Sequence, residues 1–200
     1  MKKRIILVLV PIVLIIIILA VAFGGKIWER FSYSREHADL NEYFGLTEDS
    51  DCAIVLQDEI VEDMAKFVHG THYFTLSTVE KYFTDRFYVN TDEQVLLFTT
   101  DTDVIKINIG DASNVMYVSD TPQELDYMAA FYDGDVLYIA AKYVQNFANF
   151  EYYGFTEPEY MQVYTQWDEY TSARLTKKTA VRYQGGIKSP ILQELPADAQ

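Results

Sequence analysis

The chain has 200 residues and a formal charge of −14, and aromatic side chains make up 15% of it. Residues 1–26 hold four cations and no acid, so the remainder sets 12 cations against 30 acids. That balance excludes nucleic acid as a partner, because phosphate binding needs Lys and Arg to displace counterions, while the aromatic content argues for a packed, strand-rich body.

In chain order, Lys2-Lys3-Arg4 precedes an uncharged apolar run over 5–23. Nineteen helical residues at about 1.5 Å each would span roughly 28 Å, close to a bilayer's hydrocarbon core. The run therefore predicts a single-pass signal-anchor through which the chain contacts the membrane. By the cationic flank its N-terminus would be cytoplasmic and the rest extracytoplasmic. Ala20-Val21-Ala22 offers the alternative of a cleaved signal peptide, against which the length of the run argues. Residues 26–38 read as a tether. Residues 39–45 read as a short helix capped by Asp39 and ended by Gly45.

Cys52 is the single cysteine, which excludes an internal disulfide and predicts no cysteine-based zinc site. Residues 53–56 read as a strand. An internal repeat follows: residues 64–100 recur over 128–165, with Met64, Ala65, Phe67 and Gly70 matching Met128, Ala129, Phe131 and Gly134 at a spacing of 64. From Tyr73 and Tyr138 onward the spacing is 65, and apolar character persists at Val79/Val144, Tyr82/Phe147, Phe87/Tyr152, Leu96/Met161 and Phe98/Val163. Each copy predicts strand, tight turn, strand, short helix and hairpin. Ser77 and Glu80 form a capping box for the first helix, and the second covers 142–149. The repeat places Phe67 and Phe131 in equivalent buried positions. Between the copies, Ile105, Ile107 and Ile109 alternate with polar residues as in a strand with one wet face. Thr121-Pro122 opens a short helix with Pro at its first position.

Beyond residue 170, Arg174, Lys177, Lys178, Arg182 and Lys188 fall in a stretch free of acids. They are the candidate contacts to anionic wall polymer, with a solvated strand face as the competing reading. The fold class expected is α+β: an N-terminal transmembrane helix over 1–26, a tether with a short helix over 27–50, a two-copy β-hairpin/short helix/β-hairpin domain over 51–169, and an incomplete small β domain over 170–200.

The doubled order of Gly, aromatic-rich strand, capped helix and hairpin over 53–165 resembles the copper-amine-oxidase-like N-terminal stalk domain of exported Gram-positive proteins. Asp39-Leu40-Asn41-Glu42-Tyr43-Phe44-Gly45, Val55-Leu56-Gln57-Asp58-Glu59, Asp85-Arg86-Phe87-Tyr88 and the segment from Arg182 to Leu192 are similar to the front of clostridial membrane-anchored proteins. In those a Src-homology-like barrel and a glycoside hydrolase family 18 domain follow. The resemblance implies a non-catalytic stalk or targeting module of such a cell-wall-associated protein, with peptidoglycan or another wall glycan as a partner. The alternatives are the front part of a family 18 hydrolase precursor and a wall-glycan-binding module.

No segment carries the family 18 pattern D-x-x-D-x-D-x-E: Asp133-Gly134-Asp135 starts it and continues without the later acids. No catalytic residue, cofactor or metal ligand is therefore expected. His69 and His72 bracket a turn and would need a further ligand to hold copper, with His37 the only other histidine. Asp101-Thr102-Asp103 and Asp133-Gly134-Asp135 lack the spaced acids of a calcium loop. Tyr152, Tyr153, Phe155, Tyr160 and Tyr164 could stack on sugar rings, but their match to apolar positions of the first copy favours core packing.

Overall fold

A computed structural model describes residues 15, 17, 18, 21, 24–26, 28–110, 114–167 and 174–199. The chain divides into two compact units, one of residues 40–170 and one of residues 1–39 with 171–200.

In the larger unit, the one-turn helix α1 (Leu40–Phe44) precedes β1 (Asp51–Leu56), β2 (Glu59–Val68), β3 (Thr71–Thr75), helix α2 (Leu76–Tyr82), β4 (Phe87–Asn90) and β5 (Val95–Thr99). Strands β6 (Val104–Asn108), β7 (Val115–Val118) and β8 (Thr121–Glu124) follow. Then come β9 (Ala130–Asp133), β10 (Val136–Ala140), helix α3 (Ala141–Val144), β11 (Glu151–Phe155) and β12 (Tyr160–Tyr164). Strands β4 to β8 form a five-stranded meander, and the other seven make a sheet of order β11-β12-β1-β2-β3-β10-β9. Only the β1/β12 pair in that sheet is parallel.

The element order β2-β3-α2-β4-β5 recurs as β9-β10-α3-β11-β12, and β3 and β10 pair antiparallel with Phe74 opposite Ile139. Those two residues are themselves 65 apart. Tyr73 opposes Ala140 and Thr75 opposes Tyr138, so a local two-fold axis passes through the Phe74/Ile139 pair. Both side chains are fully buried, with Tyr143, Ile54, Leu96, Ile107 and Met161 among the largest that are. Rings of Phe83 and Phe150 lie 4.9 and 5.9 Å from Phe74, and Phe98 stacks on Phe147 at 4.2 Å, joining the meander to the second copy.

The turns correct the repeat alignment at its best-matched position. His69 and Gly70 both have positive φ, whereas in the second copy Gly134 does and Asp135 does not. These are the two hairpin turn patterns that match strand twist. Both turns hold two residues, Val68 to Thr71 and Asp133 to Val136, so the copies superpose at a spacing of 65 throughout. Phe131 is then one place out of step with Phe67. Because side chains alternate along a strand, that one residue puts it on the other face. Phe67 pairs with His72, while Phe131 pairs with Tyr138, stacks on it, and meets Tyr73 edge-on at 4.9 Å.

Several expectations are corrected. The fold class is mostly β rather than α+β. Among the described residues no helix is long and apolar enough to cross a membrane, which conflicts with the transmembrane signal-anchor, the single-pass membrane contact and the membrane localisation built on it. The run over 5–23 on which they rested lies almost wholly outside the described residues. Thr121–Glu124 is the edge strand β8 instead of a helix: Pro122 lacks an N–H to donate, and an edge position tolerates that. Helix α2 is capped by the Thr75 hydroxyl, which accepts from the Thr78 N–H at 3.1 Å, ahead of the Ser77 expected. The second helix closes after Val144, its cap position being Ala140, which offers no side-chain acceptor.

In the smaller unit β13 (Thr179–Arg182) pairs antiparallel with β14 (Ile191–Leu195). The segment read as a tether supplies further pairing: Ser34 N–H donates to the Ile187 carbonyl at 2.7 Å, Ile191 N–H to Glu36 at 2.7 Å, and Ala38 N–H to Ile191 at 2.8 Å. Ile191 is buried there.

Truncating Phe74 to Ala removes the ring at the local two-fold and is expected to cost about 3 to 5 kcal/mol. Urea unfolding of the purified chain followed by circular dichroism measures it. A loss below about 1 kcal/mol would show that the core is not centred there.

Candidate metal centre

On the face of the seven-stranded sheet that carries Phe74, alternation also places Phe67 and His72, with Cys52 opposite Ala65 on the neighbouring pair. Glu159 stands just ahead of β12, and the parallel register of Ala53 with Tyr160 brings it beside Cys52. Ala65 is small and fully buried, so the strand between Cys52 and His72 leaves their side chains room to converge. Ligating atoms of Cys52, His72 and Glu159 all lie within 4.8 Å of one another.

Four strand steps separate β3 from β11 in the sheet order, about 19 Å if the sheet were flat. Yet a Cβ built on Gly154 of β11 would stand 2.6 Å from His72 Nε2. The sheet therefore curls until β3 reaches over β11, and only a residue without a side chain fits under the imidazole. Phe67 and Tyr152 rings flank that imidazole at 4.6 and 5.7 Å.

The group is dry. Cys52 is fully buried, and the His72 and Glu159 side chains are 12% and 17% exposed. His72 Nε2 and Glu159 Oε1 lie 3.5 Å apart, but both are buried atoms without a hydrogen-bond partner. Their separation satisfies an ion-pair distance while their geometry fails a hydrogen bond, and the geometry is the stricter criterion. Burial pushes the Cys52 thiol up to about 12, aided by the Glu159 charge. Burial also holds the His72 imidazole below and the Glu159 carboxyl above their ordinary values.

Glu159 also belongs to the wall of a cleft of about 480 Å³ lined by Asn41, Thr47, Glu48, Asp51 and Glu157 among others. Burial raises the Asp51 carboxyl, but hydrogen bonds from the Thr47 and Glu48 N–H groups and the Thr47 hydroxyl outweigh it, and the net shift is downward. All three donors converge on Oδ2 at 2.8 to 3.0 Å. Asp51 thus serves to hold the turn at the cleft's mouth.

The residues singled out in the sequence lie elsewhere. His69 sits exposed in its turn. Arg174 and Lys177 are exposed, and Lys178 pairs with Glu194 at 2.5 Å. Arg182 donates to the Ser34 carbonyl at 2.9 Å and the Ser189 carbonyl at 2.5 Å and lies over the Tyr33 ring. Lys188 donates to the Glu29 carbonyl. Three of the five cations therefore tie their own unit together. Asp103 accepts from the Thr102 and Ser119 hydroxyls at 2.6 and 2.8 Å as turn chemistry. Asp133 pairs with Lys66. Of the aromatic set, Tyr152 packs against the core, whereas Tyr153 and Phe155 are exposed.

Sequence spacing hid the trio of Cys52, His72 and Glu159, since its members are far apart in the chain. The available signal was Gly154, a glycine inside an aromatic strand, which marks close approach by another group. Comparison with protein-family models, with curated proteins and with solved structures returns no match.

Gly154→Ala should force His72 aside and destabilise the unit by about 1 to 3 kcal/mol. Adding His72→Ala should recover part of that loss, with a coupling of roughly 0.5 to 3 kcal/mol in a double-mutant cycle. Strict additivity would place the imidazole away from β11.

Proposed function

We propose that the unit over 40–170 is a non-catalytic targeting module of a cell-wall-associated protein of the glycoside hydrolase family 18 type, and that it contacts wall glycan through the outer face of β11 and β12. The observation that carries this reading is the row of rings on that face. Tyr160 stacks between Phe44 at 5.1 Å and Phe155 at 4.7 Å, each pair within 10° of parallel, and Tyr153 packs edge-on to Tyr164 at 6.2 Å. Tyr153 and Phe155 remain 54% and 44% exposed.

Exposed, mutually braced rings present flat apolar surface at little entropic cost, which suits the apolar face of a pyranose. The similarity of residues 53–165 to the stalk domain supports a non-catalytic role.

Purified chain should be retained on isolated peptidoglycan. Tyr153→Ala and Phe155→Ala should each weaken retention roughly fivefold, the equivalent of about 1 kcal/mol for a ring contact. Reducing-end release from chitin oligomers and from peptidoglycan should stay at background. Retention unchanged by both substitutions would leave a spacer without glycan contact, and turnover lost in Glu159→Gln would make the cleft an active site.

A further inference from the structure

We infer that Cys52, His72 and Glu159 form a three-ligand site for a borderline divalent transition metal of the zinc type, reached through the acid-lined cleft. This goes beyond the targeting role and does not depend on it.

The geometry of the orphaned pair is the first ground. Two ligands bound at about 2.1 Å around a tetrahedral ion stand about 3.4 Å apart, and His72 Nε2 and Glu159 Oε1 are separated by 3.5 Å. That spacing is poor for the hydrogen bond they do not make and suitable for a shared cation, which would satisfy both buried atoms at once. With sulfur at about 2.3 Å the thiolate would sit about 3.6 Å from either partner. Since all three ligand atoms lie within 4.8 Å of one another, no pair involving sulfur needs to close by more than roughly 1.2 Å.

The donor set is the second ground. One thiolate, one imidazole and one carboxylate suit zinc or cobalt and disfavour magnesium and calcium, which seek all-oxygen shells. Coordination replaces the thiol proton of Cys52, which leaves to solvent, and the metal takes the sulfur lone pair with no change of oxidation state. The imidazole, kept neutral by burial, presents its lone pair without a competing proton.

The third ground is access. Glu159 is common to the cluster and to the cleft, and Glu48, Asp49, Asp51 and Glu157 line the same cleft. Their carboxylates raise the local concentration of a divalent cation at the wall that Glu159 shares with the cluster. Three protein ligands leave a fourth position for water or a small anion.

The test is titration of the full 200-residue chain with Co(II), followed by absorption. Because the chain has a single cysteine, a near-ultraviolet thiolate-to-cobalt band in the wild-type protein can come only from Cys52. The expected result is such a band, saturating at one cobalt per chain and displaced by zinc, with magnesium and calcium ineffective. Glu159→Gln should weaken cobalt binding by at least about tenfold, and Cys52→Ala should abolish the band while far-ultraviolet circular dichroism is kept. Cobalt binding without a thiolate band would assign the metal to surface groups such as His69 and overturn the proposal. So would absence of binding, which leaves His72 and Glu159 as a buried pair only. Should Cys52→Ala fail to fold, the wild-type band and its stoichiometry decide the question alone.

Discussion

The contact between the His72 imidazole on β3 and the bare backbone of Gly154 on β11 sets the curvature of the seven-stranded sheet, and most of the larger unit follows from it. A flat sheet would hold those strands about 19 Å apart. Curled, the sheet wraps the face bearing Phe74 around helices α2 and α3, and Tyr143 and Val79 become fully buried beneath it. The same curl carries Glu159 and Cys52 toward His72, with Cys52 fully buried and the other two largely so. A side chain at Gly154 would hold β3 and β11 apart, so one missing Cβ connects packing to the only buried cluster of potential ligands among the described residues.

Around that constraint the two copies of the repeat play unequal parts. Their first hairpins meet at the local two-fold through Phe74 and Ile139, but their second hairpins part company. β4 and β5 join the meander, and β11 and β12 return to β1. The first copy thereby contributes β4 and β5 to the second sheet, and the second copy extends the first sheet beyond β1. Facing is nevertheless kept at equivalent positions: Phe87 and Tyr152 pack toward the core, while Tyr88 and Tyr153 are exposed.

Much of the strand order was legible because it rests on local chemistry. Alternation at Ile105 and Ile107 marked β6, and glycine marked both hairpin turns. What escaped was whatever depends on register or on non-local partners. The identities at Phe67/Phe131 and Gly70/Gly134 suggested a spacing that the turns overrule by one residue, and one residue exchanges the two faces of a strand. The Thr121-Pro122 pair reads as a helix start on propensity, yet pairing with Tyr117 and Val118 makes it an edge strand. The site was less legible still. In sequence His72 reads as the partner of His69 across a turn, whereas alternation sends it to the face shared with Cys52. The cations from Arg174 to Lys188 were conspicuous as a charge run, and Arg182 and Lys188 prove to be fasteners within the smaller unit.

The curl of the sheet is tested most directly by nuclear Overhauser contacts of the His72 ring in the purified chain. The account predicts cross-peaks from the imidazole protons to the α-protons of Gly154, alongside those to Phe67 and Tyr152. Cross-peaks to Phe67 alone, with none to Gly154 or Tyr152, would mean that β3 and β11 stay apart, and the dry cluster with Cys52 and Glu159 would fall with them.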